Sequence, residues 1–478
     1  MSYLFLSCTE KKILLSFIAI FTVVSGIIIF YWRDVQYNPN KIDFFLYFLL
    51  LPAIITLVIL SPWLIYSVYK SYKEKKEQAA NQSQDDDSQK SSAAIEQPLE
   101  QLDFNVYSAF AIHALGENET IIEEIQNFKS PELDEQLLNS YGLPLLSYRI
   151  KDLAETNDED IQYAASPRQV RIMSLIRQQL EQNIENLYRL AEHLKRSILF
   201  YESHQIREYH MHPAWVDPNS EYEDVETPVV EVHRLNRLNL HIFLPEDLLH
   251  VWNDEQSNDL ILEFFTEIGI ISQKVHIEYH FLGERVAYQE FIHLLKRIQK
   301  KEHEVFLMLA VDSEIDQDLI DEKSWMVKDY IPAEFAASCL LADPSLKIEE
   351  LEPAKNLKIV VGQEKAAKVL HTLNLNELPQ YEGDEPYVLI LSDQTDIKTA
   401  KQLQQQFAQT SVEPHHYIYV KSSLGHTQHL VDIYGFMLSM HFPEHIVPFV
   451  FGENTVSAHT FVQSVTENSE DDAMVLNS

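Results

Sequence analysis

Histidine is plentiful and cysteine scarce among the residues of this sequence that could bind a metal or attack a substrate, at 20 and 2 respectively. Histidine pairs at short spacing include His210 and His212, His276 and His280, and His426 and His429. A zinc site normally adds Cys or carboxylate ligands at recognisable spacing, and these pairs are scattered, so the sequence predicts no metal site. Cys8 and Cys339 cannot build a disulfide framework or a thiolate metal site, which is consistent with a reducing cytoplasm.

Motifs of the commonest enzyme classes are missing. The sequence has no Gly-x-Ser-x-Gly elbow, no phosphate loop and no dinucleotide fingerprint. Glycine, which lets backbone approach a ligand closely, accounts for 10 of 478 residues, about 2% against a usual ~7%. We therefore predict no cofactor.

A lysine, two glycines and a histidine share one segment near the C-terminus. It contains Lys421, Gly425, His426 and Gly435, within Lys-Ser-Ser-Leu-Gly-His followed by an apolar stretch. This segment resembles the strand-to-helix turn of β-ketoacyl synthases, whose pattern is Lys-Ser-x-x-Gly-His before a helix of small residues. Segments 114–120, 304–316 and 332–337 resemble other motifs of that family, in the family's order. The resemblance implies a thiolase-like fold for most of the chain.

Ketosynthase chemistry needs a thiolate at a helix N-terminus and two imidazoles at the reacting carbonyl. The resemblance places the nucleophile near 282–285, which has no cysteine, and the first histidine near 388–393, which has none. Cys339 lies in an apolar stretch and is interpreted as a buried structural thiol. We therefore predict a pseudo-enzyme with no catalytic residue, in which Lys421, Gly425 and His426 are vestigial.

Two long uncharged segments near the N-terminus predict a membrane anchor. Residues 13–32 and 44–69 carry no charge, and each exceeds the roughly 20 residues that span a bilayer. The first is too long for a typical signal peptide, and neither holds an ionisable residue that would suit a transporter. Basic residues flank the hairpin (Lys11, Lys12, Lys70, Lys73, Lys75 and Lys76) and outnumber those of its loop (Arg33 and Lys41), which predicts cytoplasmic termini.

The soluble region is strongly acidic. The whole chain has 37 Lys and Arg against 73 Asp and Glu, a formal net charge of −36. Such a surface repels phosphate backbones, so we predict no nucleic-acid partner. Residues 77–101 are polar and poor in apolar side chains, which predicts a flexible linker, and residues 467–478 predict an acidic tail.

Alternating apolar segments and amphipathic helices predict an α/β fold with a mixed sheet, in two related halves at 102–303 and 304–466. Predicted strands lie at 104–114, 238–244, 275–281, 305–311, 335–341, 357–361, 387–391, 416–420 and 446–451. Predicted helices lie at 119–128, 169–197, 258–268, 286–299, 363–373 and 397–406. The aromatic segment 209–216 is interpreted as core, with a partner-binding loop as the alternative.

A membrane hairpin joined to a degenerate synthase-like region resembles the lipase adaptor family of bacterial type VI secretion systems. The resemblance implies an inner-membrane protein that holds a lipase effector in the cytoplasm and loads it on the spike protein of the machine. It assigns no partner-binding residue. The alternative is an acyl-binding or acyl-transferring enzyme that uses Lys421 and His426. A structural component of a membrane complex is a third interpretation.

Overall fold

The computed structural model describes residues 30, 33, 34 and 100–465, with gaps at 152, 154–165, 208–231, 285, 326, 328–329, 363–365, 385, 392–396, 427–429 and 453–457. The chain divides into two compact units, Met1–Gln97 and Pro98–Ser478. Apart from Phe30, both predicted spans lie outside the described residues, and no helix within the described part is long and apolar enough to cross a bilayer. The acidic tail and segment 209–216 also lie outside.

The second unit is built on a mixed sheet with strand order β11-β10-β12-β13-β9-β1-β8-β7-β5-β6, and β2 pairs with β1. Its strands are β1 (Glu100–His113), β2 (Gly116–Glu117), β5 (Arg237–Pro245), β6 (Val275–Leu282), β7 (Glu304–Ser313), β8 (Glu334–Ala342), β9 (Lys355–Val361), β10 (Val388–Ile390), β11 (Tyr417–Tyr419), β12 (Phe449–Gly452) and β13 (Ala458–Ser464). Strands β3 (Glu132–Leu138) and β4 (Pro144–Ser147) form a separate hairpin. The predicted α/β architecture with a mixed sheet is confirmed.

The sheet contains the same arrangement twice. Numbering β1 and β5–β8 from one to five, and β9–β13 likewise, both groups have the order 3-2-4-5-1. In each group the second strand is parallel to the third and fourth, and the fifth is antiparallel to its neighbours. Antiparallel pairing of β1 with β9 joins the groups. The strand order is therefore an internal duplication, whose halves meet between residues 342 and 355, whereas the boundary predicted from the sequence is 303/304.

Helices cover both faces of the sheet. They are α1 (Glu119–Gln126), α2 (Pro167–Gln182), α3 (Ile184–Arg207), α4 (Asp254–Glu267), α5 (Ala287–Ile298), α6 (Gln317–Lys323), α7 (Ala366–Thr372), α8 (Ile397–Gln406), α9 (Val420–Ser423) and α10 (Val431–Leu438). Along β7, Phe306 and Met308 join the core cluster containing α5 and α10, whereas Leu307 and Leu309 join the cluster containing α2 to α4. This alternation is the period of a strand buried on both faces.

Two helices that follow the third strand of each half pack against one another. Helix α5 comes after β6, and α10 comes after β11 and the short α9. Phe291 of α5 and Phe436 of α10 form an edge-to-face pair with ring centroids 4.9 Å apart. The turns that begin these two helices are therefore held close together.

The sequence missed some elements and merged others. The predicted helix 169–197 is two helices, α2 and α3, separated at Asn183. Asn183 is buried and hydrogen-bonded to two strands, β8 and β1. Its side-chain amide donates to Ser338 Oγ at 2.9 Å, and Ser108 Oγ donates to its side-chain carbonyl at 2.7 Å. Strands β3, β4 and β13 were not predicted, and residues 100–101 of the predicted linker begin β1.

Candidate functional site

The turn containing Gly425 depends on a backbone that only glycine adopts readily. Gly425 has φ +77°, and a Cβ there would lie 2.8 Å from Tyr148 Cδ2 and 3.1 Å from the carbonyl oxygen of Ile331. The turn therefore lies directly against segment 331–334. Sequence reasoning assigned both segments to the ketosynthase pattern, and the structure brings them together.

His426 is engaged by backbone on the same segment. Its Nδ1 accepts a hydrogen bond from the N–H of Ile331 at 3.0 Å, and its own N–H donates to the carbonyl of Ile331 at 2.9 Å. Its ring lies 5.0 Å from that of Tyr330. Burial and the nearby Lys323 lower the His426 pKa, which favours the neutral imidazole. Because Nδ1 accepts, the proton of the neutral ring lies on Nε2. The ring therefore contacts the backbone of Ile331 through Nδ1.

Lys421 contacts the segment where the nucleophile was expected. Its Nζ donates to Glu284 Oε1 at 3.1 Å, and Glu284 follows β6 in the turn that begins α5. Asp432 of α10 is close to both. Burial raises the Asp432 pKa to about 6, with Lys421 opposing and Glu284 adding to the shift. The site expected to hold a thiolate therefore holds two carboxylates and an ammonium.

The other positions expected to do chemistry are apolar or buried. Val388 to Ile390, where a histidine was expected, form β10 and are buried. Cys339 is fully buried in β8, and burial raises the pKa of its thiol. A buried neutral thiol is a poor nucleophile, so the structural interpretation of Cys339 fits its surroundings.

His113 at the end of β1 is a residue near this turn that the sequence analysis missed. Its Nδ1 accepts from the N–H of Leu115 and its Nε2 lies 3.3 Å from the carbonyl oxygen of Leu424, to which it donates. Burial lowers the His113 pKa to about 3. A cleft of about 540 Å³ opens beside it, with Tyr148 and the β3–β4 hairpin in its wall. His113 thus joins β1 to the Lys421–His426 turn.

A buried ionic network also holds segment 332–334 in place. Arg171 binds both carboxylate oxygens of Glu334, which also accept from Ser313 Oγ at 2.7 Å and from the N–H of Ile150 at 3.0 Å. Arg168 donates to Asp312 at 2.9 Å and to Asp247 at 2.8 Å. These partners are far apart in sequence, so no local spacing could reveal them. Both oxygens of Glu334 are hydrogen-bonded, whereas Asp312 Oδ2 is buried without a hydrogen-bond partner among the described residues. The dense pairing around Glu334 and Arg168 indicates a structural network.

Among the three histidine pairs noted in the sequence, both members are described only for His276 and His280. His210, His212 and His429 lie outside the described residues. His276 and His280 lie on the same face of β6, and His280 lies 2.9 Å, Nε2 to Nδ1, from His241 of β5. With Glu278 these two form a group of three potential metal ligands, which the sequence analysis did not predict because it needs the register of β5 with β6.

No protein-family profile matches the chain, and no curated protein matches it in sequence. Several solved structures are similar to it. The ketosynthase from module 6 of the bacillaene synthase of Bacillus subtilis 168 is similar with 10% identity and a TM-score of 0.44, over 76% of this chain and 72% of that one. An oxazolomycin ketosynthase domain of Streptomyces albus JA3453 gives 8% and 0.41, over 76% and 75%. OleA of Xanthomonas campestris gives 10% and 0.32, over 77% and 100%. At this distance none of these lends its activity to the chain.

Proposed function

We propose that this protein is a membrane-anchored, non-catalytic adaptor of a bacterial type VI secretion system, built on a thiolase-like scaffold that has lost its chemistry. It binds a lipase effector in the cytoplasm and helps load it on the secretion spike. The two predicted spans, 13–32 and 44–69, hold it in the inner membrane with both termini in the cytoplasm.

The Glu284–Lys421 pair is the observation that carries the non-catalytic part of the proposal. A condensing enzyme needs an electron-rich sulfur at the start of the helix, where backbone N–H groups stabilise it. The turn before α5 instead carries Glu284, whose carboxylate oxygen is 3.1 Å from Lys421 Nζ. A carboxylate there forms no thioester with an acyl chain, and Lys421 is occupied.

His426 supports the same conclusion. Its Nδ1 is engaged by the backbone of Ile331, and its neighbour Gly425 is required by close packing against Tyr148. Gly425 and His426, which survive from the ketosynthase pattern, thus hold the turn and segment 331–334 together. A binding scaffold needs these contacts to keep its fold, but it needs no nucleophile.

The rival function is an enzyme that binds or transfers an acyl group through Lys421 and His426. Purified full-length protein in detergent is incubated with a long-chain acyl-CoA and with acylated carrier protein, and release of thiol is followed. We expect no turnover above buffer and no stable acyl adduct by intact mass. Turnover that disappears in His426→Ala, with the fold intact by circular dichroism, would establish the rival.

The adaptor function predicts that a lipase is encoded beside this gene, and that lipase is the partner to test. Full-length adaptor and lipase are co-expressed, and we expect a complex of defined stoichiometry by size exclusion with light scattering, while an unrelated lipase of similar size elutes separately. Deleting the adaptor gene should abolish lipase delivery to recipient cells. Complementation with Lys421→Met should restore delivery, since the proposal assigns Lys421 no chemistry. Delivery that persists in the deletion strain would contradict the adaptor function.

A further inference from the structure

Three potential metal ligands meet on two neighbouring parallel strands at one end of the sheet. His241 lies on β5 directly opposite Glu278 of β6, and His280 follows two residues later on the same face. Phe243 continues that face: it stacks on His280, with centroids 5.1 Å apart, and packs edge-on against Phe291 of α5. Rigid strands and a packed helix therefore position the group.

The spacing of the ligand atoms fits a metal. His241 Nδ1 lies 2.9 Å from His280 Nε2 and 3.5 Å from Glu278 Oε2, and His280 Nε2 lies 3.8 Å from Glu278 Oε1. Tetrahedral ligands at about 2.0–2.1 Å from zinc are roughly 3.3–3.4 Å from one another. The two imidazole nitrogens and the Glu278 carboxylate thus surround a point where an ion could lie with little rearrangement.

The two imidazoles face one another through one nitrogen each. His241 Nδ1 and His280 Nε2 share a single hydrogen bond, which an ion bound by both nitrogens would replace. His241 Nε2, which is buried without a hydrogen-bond partner in the described part of the chain, would then carry the proton of that ring.

Charges around the group act in both directions. Arg297 and Lys301 face His241, and His276 lies nearby, so these residues oppose a cation. Glu290 of α5 acts on His280 in the opposite sense. Glu278 supplies a negative ligand and remains 41% exposed, which leaves a route to solvent. The donor set of two imidazoles and one carboxylate suits Zn²⁺ and other divalent transition metals.

We propose that His241, Glu278 and His280 bind one divalent transition-metal ion, best suited to Zn²⁺, with a fourth position open to solvent. The ion joins the outermost strand β6 to β5. It would fasten an end of the sheet that lacks a further strand among the described residues.

Cobalt titration tests this site directly. Full-length protein carrying a tag without histidine is purified in detergent, stripped with a chelator and titrated with Co²⁺ while the visible absorption is recorded. We expect saturation at one ion per chain, with the intense bands of tetrahedral Co²⁺, and loss of those bands when Zn²⁺ is added. Absence of a saturable site would overturn the proposal.

Variants assign the ligands. Glu278→Gln and His280→Gln should each weaken Co²⁺ binding at least about tenfold. His276→Gln is the matched control, because it lies on the same strand and face but outside the group. Zn²⁺ should raise the thermal midpoint of wild type and of His276→Gln, and not that of Glu278→Gln, whose exposed position keeps the fold. Equal binding by all four proteins would show that the ion lies elsewhere and refute the assignment.

Discussion

Glu284 and Lys421 occupy matching positions in the two halves of the duplication, and their side chains meet. Each lies two residues past the third strand of its half, β6 ending at Leu282 and β11 at Tyr419. The internal symmetry of the fold thus brings the starts of α5 and α10 together, with Oε1 and Nζ 3.1 Å apart. Because both side chains are a third or more exposed, the pair stabilises the fold by at most about 1 kcal/mol.

Asp432 gives this site a measurable pH dependence. Its folded pKa of about 6 lies above the ordinary 3.8, so the folded state binds the proton more tightly and stability falls as pH rises from about 4 to 6. Asp432→Asn should abolish that decline and stabilise the protein at pH 7, by on the order of 1–3 kcal/mol. Lys421→Met should steepen the decline, because Lys421 lowers the Asp432 pKa. Urea unfolding of the three proteins between pH 4 and 7.5 measures both effects; identical profiles would contradict the assignment.

A matched pair of substitutions separates the two reasons why residue 425 must be glycine, its positive φ and its close packing. Gly425→Ala adds a Cβ at φ +77° and within 3.1 Å of three atoms, whereas Gly142→Ala adds one at φ +74° with no atom within 4 Å. Both pay about 1–2 kcal/mol for the left-handed conformation, and Gly425→Ala should lose a further ~1–3 kcal/mol through overpacking. Chemical denaturation compares the two. Equal losses would show that the turn against Tyr148 is less tightly packed than described.

His426 should matter for stability and not for function. Replacing it with Ala leaves the N–H of Ile331 without its acceptor, a loss of about 1–3 kcal/mol, whereas Asn offers an acceptor near Nδ1 and should recover part of it. Thermal unfolding and effector pull-down are measured on both variants. A His426→Ala protein of wild-type stability that no longer binds its effector would assign recognition or chemistry to this histidine.

Buried neutral histidines should make the protein sensitive to acid. Burial lowers the pKa of His113 to about 3 and that of His441 to about 4, from 6.5. Since the unfolded chain takes up these protons first, stability is lost as pH falls below about 6.5. His113→Gln, which can still accept from Leu115 and donate to Leu424, should weaken that loss, and the exposed His250→Gln should leave it unchanged. Urea midpoints from pH 7 to 4 provide the readout.

Membrane topology can be read with fused reporters. Alkaline phosphatase after Ser478 should be inactive and a fluorescent protein there active, while phosphatase inserted near Asn38 should be active, because the basic residues flank the hairpin on its cytoplasmic side. Phosphatase activity from the C-terminal fusion would refute both the orientation and the cytoplasmic adaptor.

Local patterns were enough to place most strands and helices, and the Gly425 turn. They failed where burial hides polar residues: β13 contains the buried His459 and Thr460, so its sequence lacks the apolar character of a central strand. They failed equally at Asn183, because the partners that interrupt the helix are Ser108 and Ser338. The cluster of His241, Glu278 and His280 depends on strand register, which spacing along the chain does not encode.

Because of the β1–β9 ladder, each half would have an unpaired strand edge if it were separated from the other. A fragment ending before β9 would expose β1 as a long edge strand, together with the apolar side of α5 that Phe436 covers. Such unpaired edges template aggregation. We therefore expect neither repeat to be expressible alone in soluble form, and the intact unit to melt in one cooperative transition, so domain truncation is the wrong tool for mapping where a partner binds.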